Sequence, residues 1–334
     1  MEQFSCMIKK HEKSACCGLK IIKFGNKRKQ CTGCKKTWRV WKKKVGRKKK
    51  RVSVKLVESF FKHEISSMSF VSRKKNKSES FVQKEMLKSR DLFVEKTSWQ
   101  KVPDGDLLLI ADAVVEMVED KWRTIYLILA RSIKDSQAVI LPPLIVSSVE
   151  NPSGWHQAFE SVPPAILECV KAVVCDGHRG ILYEAKDRKW IIQRCHFHLI
   201  ARIQSRRSRY ILSRNKEESK KIFSHVGVVL KSTDQKQVQK SLNILEEIGW
   251  TSKSKEIGTT LNGFATNYEN FRSYIDYPEL NLPITSNTAE SLASTIADLK
   301  RRMRGFPTMN SFEKWIIALL KFRQNIRCNK YQPS

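Results

Sequence analysis

Three acidic residues stand where a carboxylate is either costly or well placed for use. Asp112 interrupts an apolar run, Leu-Leu-Leu-Ile-Ala-Asp-Ala-Val-Val over 107–115. A lone carboxylate in a buried strand is expensive unless it is paired or bound to metal. Its plain alternative is a strand-end residue facing water, and Asp104 and Asp106, just before the strand, are nearby competitors. Asp176 follows directly on a second apolar strand, in Val-Val-Cys-Asp-Gly-His-Arg-Gly over 173–180, where Gly177 and Gly180 let the backbone turn and approach a ligand. Its alternative is an ordinary Asp-Gly turn. Glu290 lies in Thr-Ser-Asn-Thr-Ala-Glu-Ser over 285–291, where Asn287 three residues earlier makes a capping-box pattern that any helix could carry. Together the three form an all-oxygen ligand set. Two Mg²⁺ ions about 4 Å apart in such a set clamp the attacking and leaving oxygens of an in-line phosphoryl displacement.

These residues need strands and a helix to bring them together. Buried strands are predicted at 106–115, 123–130 and 137–141, joined by short polar turns into an antiparallel meander. A helix over 155–162, a strand over 170–175, a strand over 190–194 and a helix from about His196 follow. Residues 200–280 read as polar and helical, 287–304 as a helix and 311–325 as another. Residues 52–93 show helical spacing, with Leu56, Phe60, Phe61, Ile65, Met68 and Val71, and are expected to form a small helix-turn-helix-like unit. The order of three strands, helix, strand, helix, strand is that of an RNase H-like domain.

The chain of 334 residues carries a formal charge of +30, which points to a polyanion. Residues 1–55 hold 20 Lys and Arg against Glu2 and Glu12, so the excess sits mostly in an N-terminal arm. Within it Lys42, Lys43, Lys44, Arg47, Lys48, Lys49, Lys50 and Arg51 form a run suited to phosphate contact without sequence reading. Arg301, Arg302 and Arg304 after the Glu290 helix are candidates for positioning a DNA backbone; an exposed helical face is the alternative. No stretch approaches the ~20 apolar residues of a membrane span, and Met1–Lys10 lacks a signal-peptide core, so a cytoplasmic, nucleoid-associated place is expected. The nine cysteines are then thiols or metal ligands. Cys31-Thr-Gly-Cys34 is one half of a zinc knuckle; the other half is irregular, with Cys17 in place and Cys16, His11 or Cys6 supplying a further ligand to Zn²⁺. Trp38 and Trp41 are candidates for base stacking or for a small ribbon core.

Residues 173–180, followed by Trp190-Ile-Ile-Gln-Arg-Cys-His-Phe-His198, resemble bacterial Mutator-like insertion-sequence transposases of the DDE/RNase H-like superfamily. That family has a Cys-x-x-His pair after its second Asp, matched by Cys195 and His198. It also has an Asn-x-x-Glu-Ser helix followed by basic residues, matched by 287–291 and 300–304. Cys195 and His198 could ligate a metal, with His196 spare, or pack as a buried pair beside Asp176; His178 could contact DNA or a water.

The resemblance covers roughly residues 100–325 and implies an α/β, RNase H-like catalytic domain over 105–325 with a helical insertion at about 200–285. Ahead of it are expected a zinc-ribbon-like segment over 1–41, a basic linker over 42–51, and a helical DNA-binding unit and linker over 52–104. Asp112, Asp176 and Glu290 are then the triad holding two Mg²⁺ or Mn²⁺ ions. The expected partners are double-stranded DNA, as terminal inverted repeats and target, and further copies of the chain in a dimer or larger assembly. A DNA-binding protein without catalysis and an RNase H-like nuclease without strand transfer remain as alternatives.

Overall fold

A computed structural model describes residues 16–25, 28–39, 53–65, 68–204 and 216–328. The basic run 42–51, Cys6, His11 and Trp41 lie outside the described residues. The chain divides into two compact units, Met1–Arg51 and Val52–Ser334. In the first, β1 (Ile21–Lys23), β2 (Arg28–Cys31) and β3 (Thr37–Arg39) form an antiparallel sheet in sequence order.

The second unit is built on a mixed sheet. β4 (Leu107–Val118), β5 (Lys121–Ser132) and β6 (Gln137–Ile140) run antiparallel, as the short polar turns predict. β8 (Val170–Cys175) and β9 (Ile191–Arg194) then add in parallel on the other side of β4. Two three-residue strands complete the sheet: β7 (Leu144–Val146) against β5, and β10 (Asn325–Arg327) against β6, so residue 325 begins a strand and is not part of the preceding helix. The order is β10-β6-β5-β4-β8-β9.

β4 is central and apolar on both sides. Leu107, Leu109 and Ala111 pack to one face with α4 (Pro152–Glu160) and α6 (Arg179–Asp187), through Trp155, Phe159, Ile181 and Ala185. Ile110, Val114 and Val118 pack to the other, beneath α12 (Asn287–Met303) and α13 (Met309–Arg323). Asp112 falls between Ile110 and Val114 in the alternation, on the face that α12 covers. The short helix α5 (Pro164–Leu167) leads into β8.

α1 (Lys55–Phe61), α2 (Met68–Lys75) and α3 (Glu79–Lys96) are helical as expected, but they are not a unit of their own. Phe60 and Phe61 lie 5.6 and 5.9 Å from the Trp315 ring on α13, and Phe61 lies 5.2 Å from Phe322. Helices of seven and eight residues cannot bury such aromatics among themselves, so they close the sheet's core instead.

The insertion consists of α7 (His196–Ile203), α8 (Lys216–Lys231), α9 (Gln235–Thr251), α10 (Lys255–Thr266) and α11 (Glu269–Asp276), around a separate core that includes Leu199, Val226, Leu245, Leu261 and Phe271. It is latched to the edge strand β9. The Ser273 hydroxyl donates to the Ile192 carbonyl at 2.6 Å, and the Gln193 side chain donates to the Phe271 carbonyl at 3.1 Å and accepts from Tyr274 N–H at 2.9 Å.

Phe60→Ala is expected to cost about 3–5 kcal/mol, read by urea unfolding, with helix and sheet lost in one transition. A separate, earlier loss of α1–α3 would contradict the shared core.

Candidate active site

The two aspartates reach the same place through strand register. Ala111 on β4 pairs in parallel with Cys175 on β8, so Asp112 and Asp176 are the next residues on neighbouring strands. Ala111 and Cys175 share one core and Ile110 and Val174 the other, so both acids follow residues of matched facing. Asp112 Oδ1 accepts from Ala113 N–H at 2.9 Å. Asp176 Oδ1 accepts from His178 N–H at 2.7 Å, and its Oδ2 lies 3.5 Å from the Arg202 guanidinium. Gly177 takes a φ of +93°, and a side chain there would strike the Arg194 guanidinium at 2.4 Å. The turn after Asp176 therefore needs glycine for conformation and for space.

Glu290 comes from the first turn of α12, whose Leu292, Ile296 and Leu299 pack on the sheet face that Asp112 occupies. The capping box expected at Asn287 does not form: Ser286 occupies the N-cap position and Asn287 is the first helical residue. Ser286 is fully buried, and its hydroxyl turns to Glu290 Oε1 at 3.4 Å and His198 Nδ1 at 3.5 Å instead of capping the helix. Its N–H donates to Cys195 Sγ at 3.2 Å. His198 Nδ1 stands 3.5 Å from Glu290 Oε1, and Cys195 Sγ stands 4.0 Å from the same oxygen. The family-like pair Cys195 and His198 thus meets the third acid. Ser286 is the member that the sequence reading missed; its one signal was a hydroxyl four residues before Glu290.

The electrostatics follow. Burial pushes the Asp112 carboxyl up to about 7; the Ala113 N–H and His198 oppose this, and the charges of Asp176 and Glu290 add to it. The hydrogen bond with Cys195 lifts His198 to about 9, against its burial, with help from Asp112 and Asp176. Burial would raise the Cys195 thiol, but hydrogen bonds from His198 and Ser286 outweigh it and hold the thiol below its ordinary value.

Other expected contributors are placed elsewhere. His196 is buried, its Nε2 donating to the Phe271 carbonyl at 2.7 Å, so it is no spare ligand. His178 accepts the Gly180 N–H as the cap of α6. Arg302 is not available to DNA: it donates to the Phe60 and Ile65 carbonyls at 2.5 and 3.0 Å, with its guanidinium 4.1 Å from the Phe60 ring centre. Arg301 and Arg304 are exposed, Arg301 pairing with Asp298 at 2.5 Å. Lys300 pairs with Glu116.

In the N-terminal unit, the sulfurs of Cys16, Cys17, Cys31 and Cys34 lie within 4.8 Å of one another. Cys16 and Cys34 are 3.3 Å apart as thiols, and Trp38 is half-buried in β3. The Cys17 thiol is pushed up to about 12, chiefly by its hydrogen bond with Cys34 and by the crowding of the other sulfurs.

A family model, "Transposase, Mutator family", matches residues 55–326. The chain belongs to the Mutator family of transposases. The matched segment opens at α1 and closes in β10, so the helices packed under Trp315 are part of the family's body. No curated protein matches the chain. A transposase acts on DNA, which gives the charge of +30 its partner. Among the described residues no helix of this transposase is long and apolar enough to cross a membrane.

Burial holds His196 down to about 4, so the folded chain binds fewer protons there than the unfolded chain below pH 6.5. Stability is expected to fall as pH drops from about 6.5 toward 4, and His196→Gln should flatten that limb in pH-dependent urea melts. An unchanged slope would show that His196 is not the group responsible.

Proposed function

We propose that this transposase cuts and joins DNA through Asp112, Asp176 and Glu290 on an RNase H-like domain. The observation that carries the reading is the register of β4 and β8, which sets two acids side by side under the helix that brings the third. The strand order supports the fold: an antiparallel meander of β4, β5 and β6, with β8 and β9 added in parallel beside β4. The insertion over about 200–285 falls between β9 and the Glu290 helix.

The donor chemistry fits a hard divalent cation. The ligands are carboxylates, and Asp112 sits raised among like charges that a cation would relieve. Two magnesium or manganese ions on these residues would supply the positive charge that stabilises the attacking and leaving oxygens of an in-line displacement at phosphorus. The chain's own part is to hold the acids. Ser286, Cys195 and His198 fix the Glu290 carboxylate, the His178 N–H holds Asp176, and the apolar sheet packs behind Asp112. The reaction is phosphoryl transfer: in cutting, water attacks the phosphodiester at the element's terminal inverted repeat and its 3′-oxygen leaves as a hydroxyl; in joining, that hydroxyl attacks a target phosphodiester and the target strand's own 3′-oxygen leaves. Two or more copies work on paired ends.

The four N-terminal cysteines fit zinc. Tetrahedral Zn–S bonds of 2.3 Å place sulfurs about 3.8 Å apart, and the four sulfurs here all lie within 4.8 Å of one another. The ribbon and the basic run 42–51 would then add cationic contacts to the DNA backbone.

Asp176→Ala and Glu290→Ala are each expected to abolish Mg²⁺-dependent nicking and joining of inverted-repeat DNA while leaving end binding in place. Nicking by both variants would overturn the triad, and an unmutated chain that binds but never nicks would make it a binding protein only. Cys195→Ala and Ser286→Ala should slow cleavage about 10–100-fold, as loss of a ligand's supporting partner does; unchanged rates would remove their positioning role. Metal analysis should find one zinc per chain, absent in Cys31→Ser. A chain that purifies without zinc would refute the ribbon.

A further inference from the structure

A small cavity of about 130 Å³ opens beside Asp176, between the end of β9, α7 and α10. Arg194, Arg202, Thr259, Thr260 and Gly263 line it with Asp176, over a floor of Leu199, Phe264 and Phe271. We propose that this cavity seats one backbone phosphate of the DNA strand next to the active site, held by Arg194 and Arg202. This rests on reading Asp176 as part of that active site.

Four observations converge. Arg194 Nε is buried and has no hydrogen-bond partner among the described residues. A buried donor left unmade costs free energy, so the guanidinium is held beside the cavity at a cost to the fold. The Arg194 guanidinium is also pre-set: it lies 4.6 Å from the Phe271 ring centre on one side and against Gly177 on the other. A fixed planar fork suits the paired oxygens of a phosphodiester. Arg202 adds a second fork. Its contact with Asp176 is 3.5 Å long and its side chain is half exposed, so it is loosely held and can turn to a ligand. Two guanidiniums against one carboxylate leave the lining positive. The third observation is Gly263, a glycine inside α10 whose added Cβ would meet nothing within 4 Å. Glycine within a helix costs about 0.5–1 kcal/mol against alanine, and here it keeps the cavity's wall open.

Size and lining select the ligand, and this is the fourth observation. Pockets for larger organic ligands run to roughly 300–1,000 Å³, well above this one. The aromatic floor gives no stacking face to a base, because Phe264 and Phe271 are buried and Arg194 covers Phe271. What fits is a single anionic group with several acceptor oxygens. The helical insertion supplies one wall and the sheet the other, so a phosphate seated here would tie the two together and fix the strand's register at Asp176.

The test is DNA binding by the full chain with no magnesium or manganese added, followed by fluorescence anisotropy with a labelled 30-base-pair duplex at 50–200 mM KCl. Arg194→Gln removes the fork; Gly263→Leu fills the cavity and changes no charge. Both are expected to reduce the magnitude of the slope of log K against log salt by about 0.9, the value of one phosphate contact, and to weaken binding several-fold at 150 mM. Thermal melts confirm that each variant is folded, and Gly263→Leu carries the test if Arg194→Gln is not. Wild-type slopes in both would overturn the proposal. A drop in Arg194→Gln alone would overturn it too, since charge without an enclosed seat would then suffice. No catalytic ion is added, so the result stands apart from catalysis: a chain that nicks through Asp176 but shows unmoved slopes loses only the cavity, and altered slopes in a chain that never nicks leave the cavity in place.

Discussion

The second unit depends on one electrostatic problem: a carboxylate set into the central strand of a sheet, with a second carboxylate level with it on the next strand. Asp112 sits between Ile110 and Val114, and the parallel pairing of Ala111 with Cys175 brings Asp176 just beyond the end of β8, beside it. Burial and like charge both work against ionisation of Asp112, which is why its carboxyl is raised to about 7. Such an arrangement is a standing cost to the fold unless a cation compensates it. The antiparallel hairpin of β4 and β5, both long and buried, is what makes that cost bearable.

The third acid is held by a different device. Glu290 lies on a helix, and its carboxylate is gripped from the sheet's far edge by His198 and Cys195 and from its own N-cap by Ser286. The Cys-x-x-His spacing puts the thiol at the end of β9 and the imidazole one turn into α7, so both face the same oxygen. The same stretch of chain carries Arg194 on one side and the insertion's latch on the other. β9 is thus the element through which the insertion, Glu290 and Asp176 are joined.

Much of this was legible in the residues, for physical reasons that differ by element. The ends of Val170–Cys175 are legible because its stretch Ala172–Cys175, buried on both faces, is a continuous apolar run, broken only near its start by the exposed Lys171. β7 and β10 were not read: three residues at a sheet margin carry no alternation to see. The spacing of Phe60 and Phe61 marks a buried helical face but does not say what buries it, so α1–α3 looked like a separate unit when their partner is Trp315, far along the chain. Asn287 matched a capping box, yet the cap position fell to Ser286, whose hydroxyl had Glu290 and His198 to bond. Arg302 looked like its neighbours; only the packing reveals that it is tied to α1. Arg194 and Arg202 carry no distinguishing pattern in one dimension: they are two cations among 63. Among the described residues the adjacent Cys16 and Cys17 both join Cys31 and Cys34 in one cluster, which a reading by Cys-x-x-Cys spacing does not anticipate.

The shared occupation of the three carboxylates by metal is tested most directly by a crystal structure of the chain bound to a DNA end in Mn²⁺, with anomalous difference maps. The account predicts two peaks about 4 Å apart, in contact with Asp112, Asp176 and Glu290. Maps with no peak among these residues, or with a single peak held by Cys195 and His198 instead, would contradict it.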